Sequence, residues 1–262
     1  MNVAYLVIPS EKKEKYPAMV CLQGHSPGAH ISIGEARNRS ERRIIKGDRD
    51  YAIQAARNGF VALAIEQRCF GEREEKLQRP AAEERCRAAF LHALMLGHTL
   101  IAERVADVIR GIDLLANLPF VDRNRIGCMG NSGGGTTTYY AACLDERIKV
   151  ALVSCSFCTF EETKMKLPHC SCGYIPCVLK FFGMEDLAAL IVPRYLIIVS
   201  GKNDEIIPIR GVRKGYRTVK RIYKAAGYPE RTELILGNQG HRFYADLSWS
   251  EINRIFNPSG SF

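Results

Sequence analysis

The sequence predicts an α/β fold in which helices cover both faces of a mostly parallel sheet. Short apolar runs with β-branched members alternate with amphipathic stretches along most of the chain. Continuous apolar runs of this length are typical of strands that are buried on two faces. The repeated alternation of strand and helix favours a parallel sheet, because each parallel connection needs a crossover that a helix can supply.

The elements follow from the apolar runs and the turn residues between them. Strands are predicted at residues 17–22, 60–65, 125–129, 150–153, 195–199 and 232–236. Helices are predicted at residues 48–57, 99–115, 184–191, 211–226 and 245–255, with another beginning at Thr136. The charged residues 73–96 indicate a helical insertion, and residues 155–180 indicate a cysteine-rich loop insertion. No repeat or linker divides the 262 residues, so we predict a single domain over residues 1–262.

Composition disfavours several classes of function. The net charge of +9 comes from basic residues that are spread along the chain, outside any recognisable nucleic-acid module, so no nucleic-acid partner is expected. The apolar opening is too short for a signal-peptide core, and no run approaches the roughly 18 apolar residues of a membrane span. Ten cysteines in a domain of this size are more typical of buried thiols than of disulfides, so a cytoplasmic location is expected.

The motif Gly-Asn-Ser-Gly-Gly at residues 130–134 joins a predicted strand to a predicted helix, with Ser132 at its centre. A nucleophilic serine on such a turn has a strained backbone, and Gly130 and Gly134 let neighbouring chain pass without a Cβ clash. The following helix points its N-terminal N–H groups at the reacting oxygen. Taken alone, the motif is equally consistent with a glycine-rich turn.

Asp204 and His241 each follow a predicted strand, where open α/β sheets place their ligands. The chain order Ser132, Asp204, His241 is a nucleophile, acid, base order. His241 would remove the serine proton, and Asp204 would fix the tautomer of the imidazole. Glu205 is the alternative acid. Singly, the histidine is equally a surface residue and the aspartate a turn residue, but three agreeing placements favour a catalytic triad.

An oxyanion intermediate also needs backbone donors. The N–H of Gly133, directly after the nucleophile, is the first candidate. The second is the N–H of His25, in the loop Gln23-Gly24-His25 that follows the first predicted strand. The His25 imidazole is a rival base, but its position in the oxyanion loop argues against that role.

These features together resemble the α/β-hydrolase superfamily, and within it the acetyl xylan esterase-like and dienelactone hydrolase-like branch. The resemblance covers nearly everything from Val20 to the C terminus. Besides the elbow and the oxyanion loop, it rests on Gln67-Arg68-Cys69-Phe70-Gly71, residues 188–194, Gly201-Lys202-Asn203-Asp204 and Gly240-His241-Arg242-Phe243-Tyr244. It implies an α/β-hydrolase fold and serine-dependent hydrolysis of carboxylic esters, often acetyl groups on sugars, without a metal.

The chain departs from this family pattern in two ways. Dienelactone hydrolases proper carry a cysteine at the elbow, where this chain has Ser132, and the difference favours an esterase. Relatives usually have additional strands and an N-terminal extension before the strand that leads to the oxyanion loop. A sheet shortened at its N-terminal edge, a natural start other than Met1 and homo-oligomer formation are therefore left open.

Two cysteine motifs resemble metal or redox sites, Cys155-x-x-Cys158 and His169-Cys170-Ser171-Cys172, with Cys177 nearby. The second is one residue short of a zinc-knuckle arrangement, and the first begins at the end of a strand instead of the start of a helix. We therefore expect reduced, packed cysteines and no metal or cofactor. Residues 168–176 are expected to form part of the substrate pocket.

The sequence predicts a serine esterase that cleaves small acyl groups, acetyl first among them, from a sugar or a similar small-molecule ester. One alternative is a serine peptidase of prolyl-oligopeptidase type, which shares the triad order but lacks its gating domain here. The other is a non-catalytic binding protein on a hydrolase scaffold, which the complete triad argues against. The preferred acyl group and alcohol are not predictable, because pocket walls come from loops.

Overall fold

A seven-stranded sheet runs through the computed structural model, which describes residues 3–76 and 84–257. Its strands are β1 (Ala4–Val7), β2 (Tyr16–Leu22), β3 (Val61–Ile65), β4 (Val121–Asn131), β5 (Ile148–Ser154), β6 (Tyr195–Gly201) and β7 (Thr232–Gly237). Their order in the sheet is β1-β3-β2-β4-β5-β6-β7. Only β1 is antiparallel to its neighbour, and the remaining pairs are parallel.

Helices cover both faces of this sheet, as the sequence predicted. The α-helices are α1 (Arg39–Ile44), α2 (Tyr51–Arg57), α3 (Glu84–Met95), α4 (Leu100–Asn117), α5 (Gly133–Leu144), α6 (Ile209–Ala225) and α7 (Ala245–Phe256). Buried side chains of α4, α5 and α6 share one core with the sheet, and those of α2 and α7 share a second core. The predicted fold class is therefore confirmed.

Strand β2 shows how the sequence forms these two cores. All seven of its residues are buried. Ala18, Val20 and Leu22 belong to one core, whereas Met19 and Cys21 belong to the other. Side chains alternate between the faces of a strand, so an uninterrupted apolar run contributes to both. Burial of one large aliphatic side chain contributes about 1.5–3 kcal/mol.

Helix α4 matches its predicted bounds closely. Thr99 lies at its N-cap, and the side-chain oxygen accepts a hydrogen bond from the N–H of Ala102 at 3.2 Å. Val105, Val108 and Ile112 are buried against the sheet, at the three- and four-residue spacing of one helical face. The helix lies in the connection between β3 and β4, and β4 leads to Ser132.

Several elements differ from prediction, and helix α1 was not predicted at all. The edge strand β1 was not predicted, and its exposed and half-buried residues explain the weak signal. Helix α2 begins at Tyr51 instead of residue 48, because Asp48 has a left-handed backbone with φ of 63°. Residues 184–191 contain a 3-10 helix, Asp186–Leu190, in place of an α-helix. Of the predicted helical insertion 73–96, α3 covers the C-terminal half, residues 74–76 are not helical, and residues 77–83 lie outside the described residues.

The parallel strands bring their carboxyl ends to one edge of the sheet. The loops at that edge carry His25 after β2, Ser132 after β4, Asp204 after β6 and His241 after β7. The cysteine-rich loop between β5 and β6 lies over the same edge, where part of it lines a cavity with Ser132. Among the helices of the described residues, none combines the length and the apolar character needed to cross a membrane.

Candidate active site

Ser132 occupies a sharp turn between β4 and α5. Its backbone has φ of 57° and ψ of −122°, a strained conformation for a residue with a side chain. The turn is held by hydrogen bonds from the Ser132 N–H to the Ser154 carbonyl at 2.8 Å and from the Thr136 N–H to the Ser132 carbonyl at 3.0 Å. This is the geometry of a nucleophile elbow, which presents the hydroxyl at the edge of the sheet.

Two glycines of the motif are required by close backbone approach. A Cβ on Gly134 would collide with the carbonyl of Leu22 in β2, and a Cβ on Gly130 would collide with the backbone of Gly134. Any larger residue at either position would push α5 away from the sheet. The glycines therefore allow the elbow to lie directly against the strand that leads to His25.

The imidazole of His241 pairs with a buried carboxylate. His241 Nδ1 lies 2.8 Å from Asp204 Oδ2, and the Asp204 side chain is completely buried. The other oxygen, Oδ1, accepts hydrogen bonds from the N–H groups of Ile206 and Ile207, both at 2.9 Å. The carboxylate is thus fixed on both sides. Because Nδ1 is engaged, Nε2 is the nitrogen of His241 that is left for proton transfer.

The same contacts control the ionisation of Asp204. Burial opposes the charged form, but the hydrogen bond with His241 and the backbone N–H groups of Ile207 and Ile206 outweigh it, so the pKa of Asp204 lies below its usual value. The alternative acid, Glu205, is exposed at the neighbouring position. Between the two, the structure pairs Asp204 with the histidine.

The predicted oxyanion loop contacts the elbow directly. A Cβ on Gly24 would lie 2.8 Å from the carbonyl oxygen of Asn131 and 3.0 Å from Cβ of Ser132. A Cβ on Gly133 would lie 3.3 Å from Nδ1 of His25. The loop and the first turn of α5 therefore pack together beside the nucleophile, where the two predicted N–H donors would have to lie.

A buried polar network that the sequence analysis missed connects this loop to α5. Gln67, directly after β3, donates through Nε2 to the carbonyl of Gln23, and its Oε1 accepts a hydrogen bond from Thr137 Oγ1 at 2.7 Å. Gln23 Nε2 in turn donates to Glu66 Oε1 at 2.7 Å. All four side chains are buried. The signal in the sequence is the pair Glu66-Gln67, two polar residues at the end of an apolar strand.

We expect a Gln67→Ala substitution to lower both stability and turnover. It leaves the Gln23 carbonyl and the Thr137 hydroxyl buried without this partner, at a cost of about 1–3 kcal/mol in the free energy of unfolding. Release of the oxyanion loop is expected to lower kcat about tenfold, because small displacements of catalytic groups reduce rate strongly. Denaturant unfolding and steady-state ester hydrolysis measure the two effects.

Gln54→Ala is the matched control for this prediction. Gln54 bonds to Asp50 and to Trp249 on the opposite face of the sheet, so its loss should cost stability without changing kcat. Equal loss of kcat in both variants would show that the Gln67 effect reflects stability alone.

The His25 imidazole lies between the elbow and the cysteine-rich loop. Its Nε2 is 3.6 Å from Cys172 Sγ. Burial alone would lower the pKa of His25, but hydrogen bonds with Cys170 and Cys172 raise it to about 9. Because Nε2 is engaged with Cys172, His25 is less suited than His241 to serve as the general base.

A cavity of about 470 Å³ opens above these residues. Ser132, His241, His25 and Gly133 all line it, and its walls include Pro168, His169, Cys170, Cys172 and Gly173 of the cysteine-rich loop. The predicted part of the pocket, residues 168–176, thus contributes several lining residues. The volume suits a small-molecule ligand. Cys155 lines the cavity too, and its Sγ donates to the carbonyl of Arg242, next to His241, at 3.1 Å.

Part of the chain matches a known protein family, and most of it is similar to one curated protein. A family model described as the prolyl oligopeptidase family matches residues 95–172, a segment that contains Ser132 but neither Asp204 nor His241. The curated protein "Putative hydrolase YtaP" of Bacillus subtilis (strain 168) is 26% identical over 241 residues. That similarity covers 91% of this chain and 77% of the relative.

Several solved structures share this fold although their sequences are less than 20% identical to this chain, at 18% and 17% for the two described next. A "putative acetyl xylan esterase" from Bacteroides fragilis NCTC 9343 matches with a TM-score of 0.71 at 18% identity, over 89% of this chain and 62% of that one. This chain therefore spans less than two thirds of that protein. A "Putative Dienelactone Hydrolase" from Klebsiella pneumoniae subsp. pneumoniae MGH 78578 matches with a TM-score of 0.62 at 17% identity, over 97% and 92% of the two chains. The chain thus has the α/β-hydrolase fold, and the solved structures that share this fold include proteins described as an acetyl xylan esterase and a dienelactone hydrolase.

Proposed function

We propose that the chain is a serine esterase that removes small acyl groups, acetyl first among them, from a sugar or a similar small alcohol. The proposal rests on the hydrogen-bonded pair Asp204–His241. Its histidine lines the same cavity as Ser132, whose backbone is strained. A buried carboxylate on one imidazole nitrogen and a serine at an elbow are the parts that this chemistry needs.

In the proposed mechanism, His241 Nε2 takes the proton of Ser132 as the hydroxyl oxygen attacks the ester carbonyl. The N–H groups of Gly133 and His25 stabilise the negative oxygen of the tetrahedral intermediate. His241 then gives its proton to the leaving alcohol, and an acyl group remains on Ser132. Water, deprotonated by His241, then attacks this acyl-enzyme, and His241 returns the proton to the Ser132 oxygen as the acid leaves. Asp204 holds the tautomer and stabilises the positive imidazole in both halves.

Two further observations support a small-molecule ester as the substrate. The cavity of about 470 Å³ is partly covered by the cysteine-rich loop, which leaves room for a small acyl group and a compact alcohol. One of the structures that share the fold is named for acetyl xylan ester hydrolysis. The serine at the elbow, where dienelactone hydrolases carry a cysteine, also favours an esterase.

The test is hydrolysis of p-nitrophenyl acetate and p-nitrophenyl butyrate by the purified chain, followed by a panel of acetylated sugars. We expect saturable turnover of the acetate, a lower kcat/KM for the butyrate, and release of acetate from at least one acetylated sugar. Preference for long acyl chains would contradict the small-acyl proposal. A folded chain that hydrolyses none of these esters would favour a non-catalytic binding protein.

The prolyl oligopeptidase family match gives a second candidate, a serine peptidase with the same triad. A peptidase must protonate a poor amine leaving group, whereas an esterase releases an alcohol. Fluorogenic dipeptide amides with proline before the scissile bond distinguish the two activities. We expect ester hydrolysis without amide hydrolysis; cleavage of the amides at comparable kcat/KM would assign the peptidase function instead.

A further inference from the structure

Four side chains of metal-ligand type converge behind the oxyanion loop. We call these four residues, His25, Cys86, Cys170 and Cys172, the sulfur cluster. One nitrogen or sulfur atom from each lies within 4.8 Å of every other. They come from three parts of the chain: the loop after β2, the first turns of α3, and the cysteine-rich loop. The cluster lies between the catalytic cavity and a second cavity of about 580 Å³.

We propose that the sulfur cluster binds one Zn²⁺ ion with three thiolates and one imidazole. Zinc takes four such ligands in a tetrahedron, with bonds of about 2.3 Å to sulfur and 2.0–2.1 Å to nitrogen. Those lengths place neighbouring sulfur and nitrogen ligands about 3.6 Å apart. His25 Nε2 and Cys172 Sγ are 3.6 Å apart. All three cysteines are free thiols, so each can supply a thiolate.

The charge around the cluster agrees with this assignment. Three thiolates on one Zn²⁺ leave a net charge of −1, which needs a positive neighbour. Arg104 is almost completely buried, and its Nη2 lies 3.9 Å from Cys86 Sγ. The guanidinium donates to the Arg68 carbonyl and lies over the Phe70 ring, and among the described side chains of residues 3–76 and 86–257 no carboxylate forms an ion pair with it. A buried cation is costly unless it is paired, and an anionic metal–thiolate centre would supply a counter-charge.

The contact between Arg104 Nη2 and Cys86 Sγ is an N–H···S contact at the edge of the cluster. Contacts of this kind around a zinc centre orient and stabilise its thiolate ligands.

The cysteine motifs in the sequence disfavoured zinc, because Cys170-Ser171-Cys172 is one residue short of a zinc-knuckle arrangement and Cys155-x-x-Cys158 begins at the end of a strand. The fold supplies the missing ligands from elsewhere: His25 from the oxyanion loop and Cys86 from α3. With four protein ligands the site is closed, which is typical of structural zinc. The ion would tie the cysteine-rich loop and α3 to the oxyanion loop. Zinc on Nε2 would leave the proton on Nδ1 of His25, the atom that faces Gly133.

The decisive experiment measures metal in the chain purified without a metal-affinity tag, under reducing conditions. We expect about one zinc per chain by elemental mass spectrometry, and intense visible bands of tetrahedral thiolate-bound Co²⁺ after exchange with cobalt. Cys86→Ser and Cys172→Ser should each reduce bound zinc at least tenfold. Cys177→Ser, an exposed cysteine of the same loop, is the matched control and should retain the metal.

Because the serine variants can fail to fold, the wild-type chain gives an independent readout. A chelator should release zinc and, at the same time, make at least three further thiols reactive toward a disulfide reagent. The proposal is overturned if the wild-type chain, after incubation with zinc chloride and dialysis, holds less than a tenth of an equivalent. Bound iron in place of zinc, or a disulfide within the cluster, would equally overturn it. So would a loss of bound zinc in Cys177→Ser as large as the loss in Cys172→Ser.

Discussion

The Ser132→Ala variant is expected to lose at least about 10⁴-fold in kcat for p-nitrophenyl acetate, because the proposed acyl-enzyme forms on the Ser132 hydroxyl. The residual rate should approach that of the uncatalysed reaction plus oxyanion stabilisation. The wild-type chain should react with a fluorophosphonate probe, and peptide mass spectrometry should locate the adduct on Ser132. The variant should fold normally, since alanine removes one hydroxyl of a half-buried residue and keeps the Cβ.

Ser156→Ala is the matched control for this loss. Ser156 lines the same cavity, and its hydroxyl lies 2.7 Å from that of Thr136 in α5, but it is not on the elbow. We expect less than about tenfold loss of kcat and full probe labelling at Ser132. Retained turnover in Ser132→Ala, or labelling at another residue, would remove Ser132 from the mechanism. An equal loss in Ser156→Ala would assign the effect to cavity structure.

Strands buried on both faces were the most predictable part of the fold. In β2 every residue is buried, so its apolar run is continuous and unmistakable in the sequence. Strand β1 alternates exposed and half-buried residues at the sheet edge, and four such residues give almost no signal. The start of α2 was equally hidden, because the left-handed backbone at Asp48 depends on its tertiary setting and not on local propensity.

The proposed triad residues could be located from sequence because each follows a strand that the sequence predicted. Parallel strands carry their loops to one edge, so Ser132, Asp204 and His241 were expected together before any distance was known. Spacing in the sequence cannot show which distant side chains meet. Gln67 stood out in the sequence only as part of a motif, because its bonds to Gln23 and Thr137 depend on how two loops and helix α5 pack together.

The sulfur cluster illustrates the same limit for ligand sets. A zinc site can be recognised in a sequence when its ligands occur in pairs of characteristic spacing. The pair Cys170 and Cys172 is one residue short of such a spacing. Cys86 and His25 approach that pair only after α3 and the cysteine-rich loop fold over the carboxyl edge of the sheet. Their apolar neighbours Phe70 and Leu100 belong to a small third core at this place, together with Cys69, Cys86 and Cys172.

The Asp204→Asn variant is expected to lose about 10⁴-fold in kcat while it keeps its fold. An asparagine amide can donate to His241 Nδ1, which forces the proton onto Nε2 and removes the base that faces Ser132. The amide also cannot stabilise the positive imidazole. Steady-state hydrolysis of p-nitrophenyl acetate measures the loss. Glu205→Gln is the matched control: its side chain is exposed, and we expect unchanged kcat. The reverse result would make Glu205 the acid.

The pH dependence of stability gives a second, activity-independent readout for Asp204. Its pKa in the folded chain is lowered, so the ionised carboxylate stabilises the fold at neutral pH. This contribution is fully present above the unfolded value of about 3.9 and is lost as the pH falls through the lower folded value. The difference in thermal midpoint between wild type and Asp204→Asn should therefore be large at pH 7 and shrink below about pH 4. A difference that does not change with pH would mean that the negative charge of Asp204 contributes nothing to holding His241, and the base would then need another partner.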